Sequence, residues 1–288
     1  MQLVEQHIIR RTDPHWSAID AASFASKNIY NAANYRLRQA YIQAGRYISY
    51  NELDEGFKQK DLLADQHLPA KVVQQVLRQL NSDWQSYFAA LAVWKAQPAL
   101  FTGRLHLPKY KHKTTGRNLL VYPENAYFKQ SLKQGLIRLS QLDFTLHTRQ
   151  SRIDCVRIVP HKTHYTVEVV YTKAPEPDMA LDPAFVAAGD LGVDTLLALT
   201  SNKPGFRPLL VNGRPLKAVN QGYNQQRAAL QSRLPPSQYT SRQLEAITDR
   251  RNRRIKTELH CCSKLVIQTL LTHHIGTLIL GKNDGWKQ

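Results

Sequence analysis

The first hundred residues show one strand pattern followed by helical patterns. Residues 2–10 alternate in the manner of a short strand. Apolar residues then recur at helical spacing over 16–44 and over 69–96, and a shorter amphipathic segment covers 49–63. This part of the chain is predicted to form a strand followed by a helical bundle.

The pattern changes at Pro98, after which short alternating runs are separated by Gly, Pro and basic residues. In the last of these runs, Tyr165, Val167 and Val169 share one face. Such runs predict an antiparallel sheet or a small barrel. The amino-terminal strand can join it, and the helical bundle is then an insertion.

A third unit begins near Asp182, after a linker rich in proline. Its pattern predicts strands over 185–191, 195–200, 208–211 and 276–281, and helices over 215–234 and 240–273. The predicted fold class is α+β and multi-domain. The predicted domains are a first strand of a β-module (1–14), a helical insertion (15–97), the β-module with a barrel-like sheet (98–173), a linker (174–181) and an incomplete α/β domain (182–288).

The formal net charge of +17 is unevenly distributed. Residues 98–173 hold 13 Lys and Arg against 4 Asp and Glu, and residues 203–264 hold 13 against 3. Residues 174–202 hold 5 acidic residues and no basic one. An acidic segment between two basic regions suits a protein that grips a polyanion and presents metal ions to it. A basic surface can equally serve solubility or a ribosomal type of RNA contact.

Two classes of protein are disfavoured by composition. The sequence has no apolar stretch long enough to span a membrane and no signal-peptide core, so neither a membrane partner nor secretion is expected. Cys155, Cys261 and Cys262 form no C-x-x-C pair, so we expect neither a disulfide framework nor a zinc site. This cysteine content suits the cytoplasm.

Asp190 is the candidate catalytic and metal-binding residue. It follows an apolar run, and a glycine-containing turn and a second apolar run come after it. A carboxylate on the first strand of such a hairpin is how ribonuclease-H-type nucleases begin a divalent-metal site. Metal ions held by carboxylates can stabilise the attacking and leaving oxygens of a phosphodiester. The alternative is an ordinary turn residue.

Two basic segments are candidate nucleic-acid contacts. In the loop that follows Leu107, basic residues alternate with one aromatic residue. The basic side chains can neutralise phosphates while the tyrosine stacks on a nucleobase or a ribose. The alternative interpretation is a solvated loop. Arginines that follow one another closely on the last predicted helix can reach two strands of nucleic acid. The residues concerned are Lys109, Tyr110, Lys111, Lys113, Arg117, Arg250, Arg251, Arg253 and Arg254.

The order of these motifs resembles the OrfB/TnpB family of transposon-encoded proteins, relatives of type V CRISPR effectors. The resemblance rests on Pro-Lys-Tyr-Lys at 108–111, Gly-Asp-Leu-Gly-Val at 189–193, the block 212–217, Asn220, Tyr223, Asn224, the run 251–256 with His260 and Ser263, and the segment 281–288. It implies guide RNA and DNA as partners, with no small-molecule substrate, and RNA-guided DNA cleavage. It also adds Lys217, Asn220, Tyr223 and Asn224 to the expected nucleic-acid contacts.

The resemblance further implies a RuvC-type, ribonuclease-H-like third domain, with recognition-like and wedge-like domains before it. Asp190 matches the first catalytic Asp of the family, and Mg²⁺ or Mn²⁺ is the expected cofactor. A catalytic Glu usually follows the strand that corresponds to 277–280, but here Gly281 and Lys282 occupy that place. The zinc-binding cysteine pairs and the last catalytic Asp are missing as well. We therefore expect a catalytically incomplete chain that lacks the family's carboxyl-terminal part.

Two alternative functions remain at this stage. Beside the nuclease homologue, the first alternative is a binding-only module, such as an RNA-guided repressor. The second is an unrelated basic RNA-binding protein in which Asp190 is a structural turn residue. Strand pairing between 186–191 and 195–200 argues against the second alternative.

Overall fold

A computed structural model describes residues 1–59, 68–174 and 180–281. The chain divides into two compact units, Met1–Ala174 and Pro175–Gln288. The predicted positions 60–63 and 175–179 and the motif residues 282–288 lie outside the described residues. In the described ranges, no helix has the length and apolar character needed to cross a lipid bilayer.

The first unit is built from helices and short strands. Its elements are β1 (Gln2–Arg10), α1 (Trp16–Ala44), α2 (Tyr50–Gln59), α3 (Ala70–Ala96), β2 (Leu120–Pro123), α4 (Lys129–Lys133), β3 (Leu136–Arg138), β4 (Thr145–His147), β5 (Cys155–Pro160) and β6 (His164–Thr172). Helix α1 ends at Gly45, whose φ of +61° is readily accessible to glycine and whose amide donates to the carbonyl of Tyr41.

Four strands of the first unit form an antiparallel sheet in the order β1-β6-β5-β2. Strand β1 pairs with β6 over its whole length, from Gln2 opposite Thr172 to Arg10 opposite His164. The first strand of the chain thus joins the sheet formed by the later ones, and α1–α3 are inserted between them, as predicted.

The predicted barrel-like closure is wrong for the described residues. Strands β1 and β2 remain the two edges of the sheet, and β3 and β4 form a separate two-stranded sheet. The physical reason is that helices cover the apolar face. Tyr122, Ile158 and Val167 of the sheet share one buried core with Leu37 of α1 and Trp84 of α3. Because the helices remove this face from water, closure into a barrel is not needed to bury it.

The second unit contains one four-stranded sheet and two long helices. Its elements are β7 (Asp182–Leu191), β8 (Thr195–Ser201), β9 (Leu209–Asn212), α5 (Arg214–Gln231), α6 (Arg242–Thr272) and β10 (Ile275–Leu280). The strand order is β10-β7-β8-β9, in which β10 runs parallel to β7 and the other neighbours are antiparallel.

Helix α6 covers one face of this second sheet. Its Val266 and Leu270 share a buried core with Ala187 and Leu199 of the sheet. Since side chains alternate between the faces of a strand, Asp190 belongs to the opposite face. That face is open to solvent in the described part of the unit, where exposed apolar residues include Leu210 and Ile279.

Candidate nucleic-acid interface

The basic loop at 107–113 is attached to α1 through its main chain. Asn31 binds Lys111 as another strand would: its Nδ2 donates to the Lys111 carbonyl and its Oδ1 accepts from the Lys111 amide, both at 2.9 Å. The side chains of Asn34 and Arg38 both donate to the Pro108 carbonyl, at 2.9 and 3.0 Å. These bonds fix the loop backbone without using the charged ends of its lysines.

Lys27 completes this attachment from a buried position. Its side chain is 2% exposed, and its ammonium donates to the Lys113 carbonyl at 2.7 Å and lies 3.7 Å from the ring centre of Phe24. Burial lowers the pKa of the Lys27 amine, and the positive charges of Arg117 and Lys113 lower it further. Lys27 therefore acts as an anchor for the loop and is not accessible to a ligand.

The four anchoring residues of α1 are not among the contacts predicted from the sequence. They are Lys27, Asn31, Asn34 and Arg38. Their spacing of four, three and four residues places them on one face of α1, within a helix whose other faces bury apolar residues. The same spacing is found on the solvent-exposed face of an ordinary amphipathic helix, so it does not by itself predict a bound segment.

The anchored loop presents three of its predicted contact residues to solvent. Lys109, Tyr110 and Lys113 are exposed. The guanidinium of Arg38 lies 5.1 Å from the ring centre of Tyr110. Lys111 is half-buried, and its ammonium lies 5.0 Å from the ring centre of Tyr30. The loop thus offers an aromatic ring between two lysines, as a nucleic-acid contact needs.

Arg117 differs from these residues because its guanidinium is bonded within the protein. Its Nε and Nη2 donate to the two carboxylate oxygens of Asp20 at 2.8 and 2.6 Å, and its Nη1 donates to the Gly116 carbonyl at 2.9 Å. The hydroxyl of Tyr165 donates to Asp20 as well, at 2.7 Å. Arg117 therefore connects this segment to α1 and, through Asp20, to β6.

In the second unit, several predicted contact residues join α5 to its neighbours. The Nε of Arg251 on α6 donates to Asn220 on α5 at 2.7 Å, and its guanidinium lies 5.5 Å from the ring centre of Tyr223. Tyr223 also shares a hydrogen bond with Thr248. Lys217 donates to Asp194 of the β7–β8 turn at 2.8 Å, and this bond lowers the pKa of Asp194.

The remaining predicted residues of this unit lie on its exposed surface or beside it. Arg250 and Arg254, four residues apart, are exposed on the same face of α6. Asn224 is exposed on α5. Arg253 is half-buried, and its Nε donates to the Asp249 carbonyl one turn earlier at 3.4 Å. The exposed arginine pair is the part of this helix that can meet a phosphate backbone.

Asp190 lies within a strand rather than in the turn. It pairs with Ala198 of β8, and the turn begins beyond Leu191. Its exposed side chain lines a shallow depression on the open sheet face, together with Thr200 and Ile279. The Oδ1 of Asp190 lies 3.9 Å from where a Cβ on Gly281 would be. A side chain at position 281 would therefore begin beside this carboxylate.

The residues around Asp190 do not fit a divalent-metal site. In the part of the chain that the structure describes, no three His, Cys, Asp or Glu residues come together as metal ligands. A two-metal site needs several convergent carboxylates, and Asp190 supplies one.

Comparison with known proteins supports the predicted resemblance. Residues 165–287 match the family model OrfB_IS605, described as "Probable transposase". The chain is similar in fold to a protein in the cryo-EM structure of the Cas12f1-sgRNA-target DNA complex, with a TM-score of 0.58 and 12% identity over 96% of this chain and 66% of that one. A CRISPR-Cas12f ternary complex also matches at 12% identity, over 93% of this chain and 63% of that one, with a TM-score of 0.34.

The chain thus spans just under two thirds of the length of these structural neighbours. No curated protein matches the sequence. The shared fold confirms the predicted mixed α/β fold. The resemblance to the OrfB/TnpB family is confirmed over residues 165–287 by the family match.

Proposed function

We propose that this chain, whose residues 165–287 match the OrfB_IS605 family model, is a TnpB-type homologue of RNA-guided nucleases that binds a guide RNA and DNA. One observation carries the proposal. The loop at 107–113 is held to α1 by its backbone, which leaves Lys109, Tyr110 and Lys113 exposed. A loop fixed in this way binds a phosphate backbone without first losing its conformational freedom.

Charge supports the same proposal. The surplus of basic residues over 98–173 and 203–264 gives both units a positive charge that attracts a phosphate backbone. In the second unit we assign the phosphate contacts to Arg250 and Arg254 of α6 and to Asn224, which is exposed on α5. Asn220, Tyr223 and Arg251 support this surface by joining α5 to α6, and Lys217 joins α5 to the β7–β8 turn. Arg253 bonds within α6.

We assign a wedge-like role to the sheet of the first unit and a recognition-like role to its inserted helices, so that domains 1–14, 15–97 and 98–173 hold guide RNA and flanking DNA. We assign the domain at 182–288, after the linker at 174–181, as a partial RuvC-like domain. The strand order β10-β7-β8-β9, with only β10 parallel to β7, supports a ribonuclease-H-like sheet. We propose that the chain binds these nucleic acids in the cytoplasm.

Asp190 is proposed as the first acid of the RuvC-like site. Its place inside a paired strand supports this role and argues against a structural turn residue in an unrelated RNA-binding protein. Mg²⁺ or Mn²⁺ is the cofactor proposed for a complete site of this kind. The other candidate function is a module that binds guide RNA and DNA without cutting. In the described part of the chain, the depression that holds Asp190 is otherwise lined by uncharged residues.

The direct test is binding of a structured RNA to the whole chain over a range of salt concentrations. Phosphate contacts predict an affinity that falls steeply as salt increases, because binding releases condensed counterions. An affinity for RNA that does not depend on salt would contradict the proposal. Addition of matching DNA to the RNA complex then tests whether the guide directs DNA binding.

A further inference from the structure

A pocket of about 620 Å³ lies in the first unit, next to the carboxyl-terminal end of the anchored loop. It is lined by Arg11 just after β1, by Trp16 and Asp20 at the start of α1, by Arg117, and by Lys162 and Tyr165 from the β5–β6 hairpin. Four separate segments of the chain therefore converge on it. Its volume is large enough to hold one nucleotide.

Hydrogen bonds to the carboxylate of Asp20 join the residues that line the pocket. Among the described residues, Asp20 Oδ1 accepts from Arg117 and Tyr165, and its Oδ2 accepts from Arg117. A carboxylate can accept about four hydrogen bonds. Asp20 therefore keeps the capacity to accept one more, and it does so in a pocket whose other charged side chains are basic.

Two of the basic side chains that line the pocket are exposed at its rim. Arg11 and Lys162 are both exposed to solvent. The guanidinium of Arg11 lies 5.6 Å from the ring centre of Trp16, and Trp16 packs in turn on Tyr165 with 4.9 Å between ring centres. Stacking restrains Arg11, so it loses little freedom when it binds an anion.

We propose that this pocket binds one ribonucleotide of an RNA strand, with its phosphate between Arg11 and Lys162 and a ribose hydroxyl donating to Asp20. The inference rests on the proposed RNA binding and adds a site to it. This combination of side chains favours RNA over other anions. The basic side chains of Arg11 and Lys162 can bind a phosphate, and the carboxylate of Asp20 can accept a hydrogen bond from a hydroxyl group. A 2′-hydroxyl is what a protein uses to distinguish RNA from DNA.

The first test measures the affinity for a short single-stranded RNA as a function of salt, for the wild type and for Arg11→Ala and Lys162→Ala. Each variant is expected to bind more weakly and to reduce the slope of log K against log salt by about 0.7, the value for one phosphate contact on a single strand. Arg138→Ala and Lys133→Ala are matched controls, because both residues are exposed and outside the pocket.

The outcomes separate the pocket from the proposed function. Equal slopes for the pocket variants and their controls, with salt-dependent RNA binding by the wild type, would overturn the pocket and leave the proposed function intact. A wild type with no salt-dependent RNA binding would contradict both.

The second test changes the ligand and leaves the protein untouched. A strand of the same sequence with 2′-deoxyribose is expected to bind the wild type about tenfold more weakly, because Asp20 loses a hydrogen bond to a charged group. Equal affinity for the two strands would overturn the role of Asp20. AMP binding that Arg11→Ala abolishes, with RNA slopes unchanged, would place a free nucleotide in the pocket and overturn the RNA assignment.

Trp16 supplies an independent optical signal. RNA binding is expected to change the tryptophan fluorescence of the wild type, since Trp16 lines the pocket. Trp16→Phe should remove that change while RNA still binds. The same fluorescence change in Trp16→Phe as in the wild type would contradict occupation of the pocket.

Discussion

Arg117 and Asp20 form a two-point ion pair across 97 residues of sequence, with Arg117 Nε and Nη2 lying 2.8 and 2.6 Å from the two carboxylate oxygens. Both side chains are about three-quarters shielded from solvent. The pair joins α1 to the segment that carries the basic loop. Arg117 thus contributes to the stability of the first unit, whereas Lys109 and Lys113 are available to a ligand.

Arg117→Ala is therefore expected to lower stability more than it lowers RNA affinity. Loss of two charge-assisted hydrogen bonds should reduce the free energy of unfolding by about 1–2 kcal/mol, after allowance for solvent screening. Lys109→Ala also removes one positive charge, but from an exposed position. It should leave the free energy of unfolding within about 0.5 kcal/mol of that of the wild type. Urea unfolding of the three proteins measures this. Equal stabilities for Arg117→Ala and Lys109→Ala would contradict the structural role.

The contribution of this pair should also depend on pH. Burial raises the pKa of Asp20, but hydrogen bonds from Arg117 and Tyr165 and the charges of Arg117 and Arg11 outweigh burial and hold the pKa below its ordinary value. Such a carboxyl stabilises the fold above its unfolded pKa of about 4, and the contribution is lost as pH falls through the folded pKa. The stability difference between wild type and Arg117→Ala should shrink below about pH 4. A difference that grows on acidification would contradict this assignment.

Asn31→Ala should separate the anchoring of the loop from its charge. The substitution removes both hydrogen bonds between Asn31 and Lys111 and leaves every basic residue in place. We expect RNA affinity to fall several-fold while its dependence on salt stays that of the wild type, because the same phosphates are contacted by a less ordered loop. Tyr35→Ala, on an exposed face of the same helix, is the control. Wild-type affinity for Asn31→Ala would contradict the role of anchoring.

Gly189→Ala tests the packing beneath Asp190. A Cβ on Gly189 would lie 2.8 Å from Leu197 Cδ1 and 2.9 Å from Leu280 Cδ2, so the substitution should destabilise the second unit by about 1–3 kcal/mol through overpacking. Gly222→Ala in α5 is the control. A Cβ there meets no atom within 4 Å, and the substitution should stabilise the helix by about 0.5–1 kcal/mol. Thermal unfolding compares the two, and equal shifts would contradict the register of β10 beside β7.

Gly281→Glu tests the position beside Asp190. Its side chain would begin 3.9 Å from Asp190 Oδ1, so two carboxylates would face each other. We expect this variant to bind Mn²⁺ more tightly than the wild type, and Gly281→Gln, which has the same shape without the charge, to behave as the wild type. Electron paramagnetic resonance of free Mn²⁺ measures the affinity. A gain that persists when Asp190→Ala is added would show that Asp190 is not a partner in the site.

The long elements could be predicted from the sequence because their periodicity extends over many residues. The predicted strand at 2–10 and helix at 16–44 agree with β1 and α1. Strands β2 and β4 have four and three residues, so the sequence pattern alone does not define their bounds. The barrel was predicted wrongly because a strand pattern shows which face is apolar but not what covers it, and here α1 and α3 cover it.

The charged residues of the candidate site could be predicted from the sequence, but their hydrogen-bond partners could not. The loop at 107–113 and the position of Asp190 in a hairpin followed from residue types and order. The partners of Arg117 and Arg251 did not, because Asp20 and Asn220 lie 97 and 31 residues away in the chain. Sequence shows that an arginine is present, and the fold decides whether it bonds within the protein or meets a ligand.

The most direct test of RNA binding by the anchored loop is the salt dependence of RNA affinity in a triple variant of Lys109, Lys111 and Lys113 to Ala. The control is a triple variant of Lys71, Lys95 and Lys133 to Ala, which removes the same charge from exposed positions elsewhere in the first unit. The loop variant is expected to lower the slope of log K against log salt by about 2, and the control to keep the wild-type slope. Equal slopes for the two triple variants would contradict the account.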